Sequence, residues 1–70
     1  MIFCYLLDLE RSVQTGIMTY WRPNQMGYTT NLHNAGVYGE PVAKEAVNDD
    51  IEGNTIIINQ NKVIQLNAKG

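Results

Sequence analysis

Between positions 20 and 28 the chain sets Tyr20, Trp21, Arg22, Asn24 and Tyr28, and the single histidine, His33, follows. Aromatic rings stack on flat groups, a guanidinium offers a planar fork of donors, and an asparagine amide both donates and accepts. This is the chemistry of recognition, suited to a partner protein or a small ligand, because Trp, Tyr and Arg dominate the energetic centres of interfaces. The plain alternative is a packed aromatic pair beside a solvated loop, with His33 bonded locally. Covalent catalysis has less to draw on. A nucleophilic triad needs Cys4 or a serine together with His33 and a carboxylate. Cys4 lies within an apolar run, where a thiol is inert, and Ser12 and His33 fall in separate polar stretches. No phosphate-binding glycine loop or HExxH pattern is present. The chain is therefore expected not to be an enzyme and to need no cofactor.

A metal site is equally poorly provided for. One histidine, one cysteine and no converging carboxylates make a weak ligand set. Asp49, Asp50 and Glu52 lack the remaining ligands of a calcium loop and read as a solvated acidic end. Arg11 and Arg22 could each touch a phosphate, but they stand apart in the sequence.

The recognition residues need a scaffold, and Ile17 to Leu32 (IMTYWRPNQMGYTTNL) reads as a β-hairpin. The approach, Ile17 to Arg22, is rich in β-branched and aromatic residues that suit a pleated surface. Pro23 presets a turn, Asn24 tolerates the left-handed region and Gly27 permits positive φ. Pairing Arg22 with Gly27 closes a four-residue loop. It sets Trp21 opposite Tyr28, and Thr19 opposite Thr30.

The rest of the chain supplies the sheet and its cover. Met1 to Leu9 (MIFCYLLDL) is read as a strand covered on both faces, in preference to a helix. Ile2, Cys4 and Leu6 point one way; Phe3, Tyr5 and Leu7 point the other. Glu10 to Gly16 is polar and reads as a connection. His33 to Gly39, with glycines at 36 and 39, reads as a loop anchored by Val37 and Tyr38. Glu40 to Asn48 is the one convincing helix, with Pro41 in its first turn and an apolar stripe of Val42, Ala43, Ala46 and Val47. Asp49 and Asp50 oppose the dipole at its C-terminal end and should stop it. Ile51 to Asn54 reads as a turn and Thr55 to Ile58 as a buried strand. Residues 59–61 read as a further turn. Lys62 to Leu66 returns as a strand or, alternatively, as a short helix. The expected fold is α+β, a small antiparallel or mixed sheet in the order β-β-β-α-β-β with one short helix on one face, forming a single domain over residues 1–70.

Composition narrows the function classes. Five basic against seven acidic side chains give a net charge of −2, so a nucleic-acid partner is not expected, because neutralising a phosphate backbone needs clustered cations. The opening run lacks a basic flank and a small-residue cleavage site and is too short to span a membrane. A cytoplasmic protein is expected. A 70-residue chain buries a thin core, and a lone cysteine rules out an internal disulfide. Self-association, most simply a homodimer, or a protein partner would compensate.

The run Trp21-Arg22-Pro23-Asn24, then Gly27-Tyr28-Thr29, Leu32, Ala35-Gly36 and a helix, resembles a group of small uncharacterised proteins of bacteria and of phages or prophages. The resemblance spans residues 18–48. It implies a small cytoplasmic accessory protein, in the host cytoplasm if phage-encoded, and no catalytic residue carries over with it. Two functions follow as expectations. One is a non-catalytic interaction module, such as a phage factor that binds and inhibits a host protein. The other is a small-molecule, nucleotide-like binding protein whose site forms between subunits from Arg22, Tyr28 and His33.

Overall fold

The computed structural model describes residues 2–61. Strand β1 (Phe3–Asp8) runs through the middle of the sheet and has neighbours on both edges. Successive side chains on a strand point to opposite faces, and β1 accordingly feeds two separate cores. On one face Cys4 and Leu6, 1% and 0% exposed, pack with Tyr38 and Ala43, with Trp21, Ala46 and Ile57 around them. On the other, Tyr5 and Leu7 pack with Tyr20 and Ala35, bordered by Leu32 and Ile58. The central-strand reading of the N-terminal run therefore holds over Phe3–Asp8, with Cys4 and Leu6 on one face and Tyr5 and Leu7 on the other, but not at its ends: Ile2 and Phe3 stay exposed and Leu9 begins a helix. Burial also pushes the Cys4 thiol above its ordinary range; the nearby Glu40 carboxylate adds to this and Lys44 opposes it.

Strand β5 (Thr55–Asn59) lies along one edge of β1, from Thr55 opposite Asp8 to Asn59 opposite Cys4. Two short strands share the other edge end to end. Strand β2 (Tyr20–Trp21) pairs where Tyr20 meets Leu7, and β4 (Tyr38–Gly39) pairs where Tyr38 meets Cys4. Strand β3 (Tyr28–Thr29) completes the sheet outside β2. Among the described residues all four pairings are antiparallel, and with helices beside the sheet the fold is α+β.

Several expectations are corrected. The polar stretch after β1 is not a plain connection but a helix, α1 (Leu9–Thr15). Asp8 caps it, its carboxylate accepting from the Arg11 amide at 2.9 Å, and Gly16 ends it at φ 71°, its amide donating to the Ser12 carbonyl. Seven residues cannot sustain a helix alone. Ser12 ties this one to the sheet, donating to the Asp8 carbonyl at 2.6 Å and accepting from the Thr19 amide at 2.8 Å. The hairpin's first arm is shorter than Ile17–Arg22. Ile17 and Met18 stay exposed because ladder pairing with β1 begins only at Tyr20, beside the bond from the Asp8 amide to the Thr19 carbonyl.

The segment 33–39 is more ordered than a loop. A 3-10 turn (Leu32–Asn34) is capped by Asn31, and β4 follows. Tyr38 is buried as expected; Val37 is exposed. Helix α2 (Glu40–Asp49) has Pro41 in its first turn, as the sequence implied, and runs one residue past the expected Asn48 before Asp50 ends it. Of its stripe Ala43 is fully buried, Ala46 and Val47 are half-buried, and Val42 is exposed. Strand β5 is less buried than four apolar-type residues suggested. Thr55 is buried, yet Ile56 is 39% exposed, because β5 pairs with β1 alone among the described residues. Gln60 and Asn61 adopt helical backbone in place of the expected turn. The element expected over Lys62 to Leu66 lies outside the described residues. Among the described residues the order is thus β1-α1-β2-β3-β4-α2-β5, with α1 and α2 in place of the one helix expected.

Candidate functional site

The hairpin forms in the register the sequence implied. Trp21 stands opposite Tyr28 and Tyr20 opposite Thr29, and the Arg22 amide donates to the Gly27 carbonyl at 2.9 Å. The Trp21 and Tyr28 rings lie 4.3 Å apart at 41°, an aromatic contact worth about 0.5–1.5 kcal/mol beyond burial. Trp21 is half-buried against the α2 face of the core, and its indole Nε1 is enclosed without a hydrogen-bond partner among the described residues.

At the hairpin's end, Arg22 through Gly27 are all exposed. Asn24 and Gln25 both adopt positive φ, 59° and 55°, a conformation that costs roughly 1–2 kcal/mol for an ordinary L-residue and less for asparagine. The turn keeps this shape because a distant side chain holds it. The Tyr38 hydroxyl donates to the Arg22 carbonyl and accepts from the Gln25 amide at 2.9 Å. Gly36 closes the other side, its amide donating to the Trp21 carbonyl at 2.9 Å. A Cβ at Gly36 would lie 2.8 Å from the Pro23 nitrogen and from a Tyr38 ring carbon. The backbones approach too closely there for any side chain. Beside the tip a small recess of about 150 Å³ is lined by Gln25, Tyr38, Val42, Glu45, Ala46 and Asp49.

A second feature lies where α1 passes β3. Arg11, Gln14 and Thr15 on the helix face Thr19, Tyr28, Thr29 and Thr30 across an open groove of about 590 Å³. The Arg11 guanidinium sits 3.9 Å over the Tyr28 ring. Thr19 and Thr30, expected opposite one another in the hairpin, both line it.

The residues singled out in the sequence therefore separate into different places. Tyr20 is a core residue, its ring 5.8 Å from that of Tyr5, and burial together with Tyr5 pushes its phenol up. Trp21 is scaffold for the hairpin. Arg22 and Asn24 belong to the exposed tip, Tyr28 to the groove. His33 is exposed on the turn Leu32–Asn34, its amide bonded to the Asn31 side chain, and lines neither recess. Sequence reasoning did not bring Gln25, Met26 and Tyr38 into the site, nor place Arg11 beside Tyr28. Among the described residues no group of three or more histidine, cysteine or carboxylate side chains converges on a metal position, and no helix is long and apolar enough to cross a membrane. No protein-family model, curated protein or solved structure matches this chain.

Proposed function

We propose that this protein is a small non-catalytic interaction module that docks a partner protein with the hairpin tip Arg22–Met26, of the kind a phage-encoded accessory factor would use in the host cytoplasm to inhibit a host protein. One observation carries the reading. Two consecutive non-glycine residues, Asn24 and Gln25, are held at positive φ by the buried Tyr38. Strained backbone of this kind persists only where surrounding structure over-determines it, and it concentrates at functional sites. Glycine would satisfy the turn at lower cost, so the side chains at these positions serve something other than the fold. The tip offers Arg22 as a forked donor, Asn24 and Gln25 as amides, and Met26, 74% exposed, as an adaptable apolar contact. A pre-set loop loses little conformational entropy on docking. The test is capture from a host lysate. A protein retained by the native chain and lost with Arg22→Ala plus Met26→Ser supports the reading; equal retention rejects it.

A second reading, self-association, rests on β5. Thr55–Asn59 carries no charged residue, the usual protection of a strand edge, and no described strand pairs with its outer side. Antiparallel pairing about Ile57 would set Ile56 against Ile58 of a second copy, a self-complementary register that a two-fold axis permits. Sedimentation equilibrium decides it, a mass of twice 7.9 kDa supporting the dimer and a mass of 7.9 kDa removing it.

A further inference from the structure

We propose that the groove between α1 and β3 binds the phosphoryl group of a small hydroxyl-bearing organic phosphate, of the sugar-phosphate class, with Arg11 as the anion-binding residue. The proposal uses none of the tip residues and stands or falls apart from the docking role. Arg11 occupies the third position of α1, in the first turn, where the helix dipole disfavours a cation. The only ion pair among the described residues is Lys44–Glu40 at 3.6 Å, so no carboxylate compensates the placement. The guanidinium carbon instead sits over the Tyr28 ring, 3.9 Å from its centroid, and no carboxylate among the described residues pairs with it. A guanidinium held in place by a ring and without a carboxylate partner offers a planar fork that matches two oxygens of a phosphate.

The remaining lining selects the rest of the ligand. No acidic residue lines the groove, although the chain as a whole carries a net charge of −2. Its volume, about 590 Å³, falls in the range of sites for small molecules, about 300–1,000 Å³. Thr19, a buried residue in the groove wall, donates its hydroxyl proton to the Ile17 carbonyl at 3.1 Å, so toward a ligand its hydroxyl can only accept. The Thr29 hydroxyl accepts from the Asn31 amide at 3.1 Å and keeps its proton to donate. A polyol supplies both kinds of partner. A nucleobase finds less, because the Tyr28 ring is already taken by Arg11 and Trp21. The expected ligand is therefore a phosphorylated polyol, and the site is complete within one chain.

Two-dimensional amide NMR of the labelled protein, titrated separately with ribose 5-phosphate, inorganic phosphate and ribose, tests this. Saturable shifts at Thr19, Tyr28, Thr29 and Thr30 with ribose 5-phosphate, tighter than with inorganic phosphate and absent with ribose, support it. Arg11→Gln should weaken binding about tenfold or more while the spectrum elsewhere is kept, as loss of a charge-assisted bond implies. Arg11→Lys, which keeps the charge without the fork, should fall between the two. Inorganic phosphate binding as tightly as ribose 5-phosphate would overturn the organic ligand, leaving an inorganic-anion site. Non-saturating shifts, or equal affinity in Arg11→Gln, would overturn the site itself.

Discussion

The hydroxyl of Tyr38 donates to the backbone carbonyl of Arg22, 16 residues earlier in the chain. The same oxygen accepts from the Gln25 amide, so one buried side chain sets two points of the hairpin turn. It joins the core around Cys4 and Leu6 to an exposed loop that local sequence alone would leave soft. Tyr38→Phe keeps the ring in the core and removes only this tie. It should cost about 1–2 kcal/mol and speed hydrogen exchange at the Gln25 amide, with the β1 amides unchanged. Unaltered exchange at Gln25 would show that the turn holds itself.

Gly36 should tolerate no side chain. Gly36→Ala would drive a Cβ to 2.8–2.9 Å from the Pro23 nitrogen, the Arg22 carbonyl carbon and the Tyr38 ring, and two of those three atoms are backbone that cannot swing aside. A loss of about 1–3 kcal/mol is expected in urea denaturation. Gly16→Ala is the control. Its φ is 71° but nothing lies within 4 Å, so only the left-handed penalty of about 1–2 kcal/mol applies. The two variants differ in kind: tip resonances should move with Gly36→Ala and stay put with Gly16→Ala.

Trp21 tests the difference between packing and hydrogen bonding. Truncation to alanine removes the contact with Tyr28 and the packing against the core of Cys4, Leu6, Tyr38 and Ala43, and should cost about 3 kcal/mol, the low end for a large aromatic because the ring is half-buried. Trp21→Phe also removes the enclosed Nε1, which has no partner among the described residues. Losing an unsatisfied donor offsets part of the lost area. Trp21→Phe should therefore cost less than about half as much in the same assay, and an equal cost would mean that Nε1 is satisfied.

Which of these features the sequence announced follows from how local their causes are. The register of the hairpin was legible because Pro23, Asn24 and Gly27 specify a turn and the aromatics on either side meet across it. The alternation of β1 was legible because both of its faces are apolar. Helix α1 was not: its one large apolar residue beyond Leu9, Val13, is 73% exposed, so it has no stripe to detect. The capping aspartate at position 8 and the terminal glycine at position 16 were the available signals, and they flank a segment whose polarity suggested a connection. The groove was hidden with it, since Arg11 reaches Tyr28 only once α1 is a helix. The burial of Tyr38 was legible from an aromatic set between two glycines in a loop, but its hydroxyl bonds span the chain and no local pattern encodes them.

Asp50 supplies a pH-dependent contribution of known sign. Its carboxyl is held below the ordinary 3.8, first by the Thr55 side-chain hydroxyl; burial opposes this, and the Thr55, Asn54 and Glu52 amides add to it. A carboxylate whose folded pKa lies below its unfolded one stabilises fully above the unfolded value, and the contribution is lost as pH falls through the folded value. Asp50→Asn should accordingly be less stable than the native chain at pH 7, and the difference should shrink as the pH falls below the ordinary carboxylate value. A difference that persists unchanged in acid would assign the effect to something other than the charge.

The central claim, that the strained tip exists for its side chains, is tested most directly by Gln25→Gly. Glycine adopts φ near 55° without the steric penalty, so the variant should be as stable as the native chain or slightly more so. Its affinity for the protein captured from lysate should nevertheless fall about tenfold or more, as loss of one well-placed contact implies. Measured side by side by urea denaturation and calorimetric titration, retained stability with lost affinity is the predicted result. Retained stability with affinity unchanged would contradict the account, because the tip would then be a turn and nothing more.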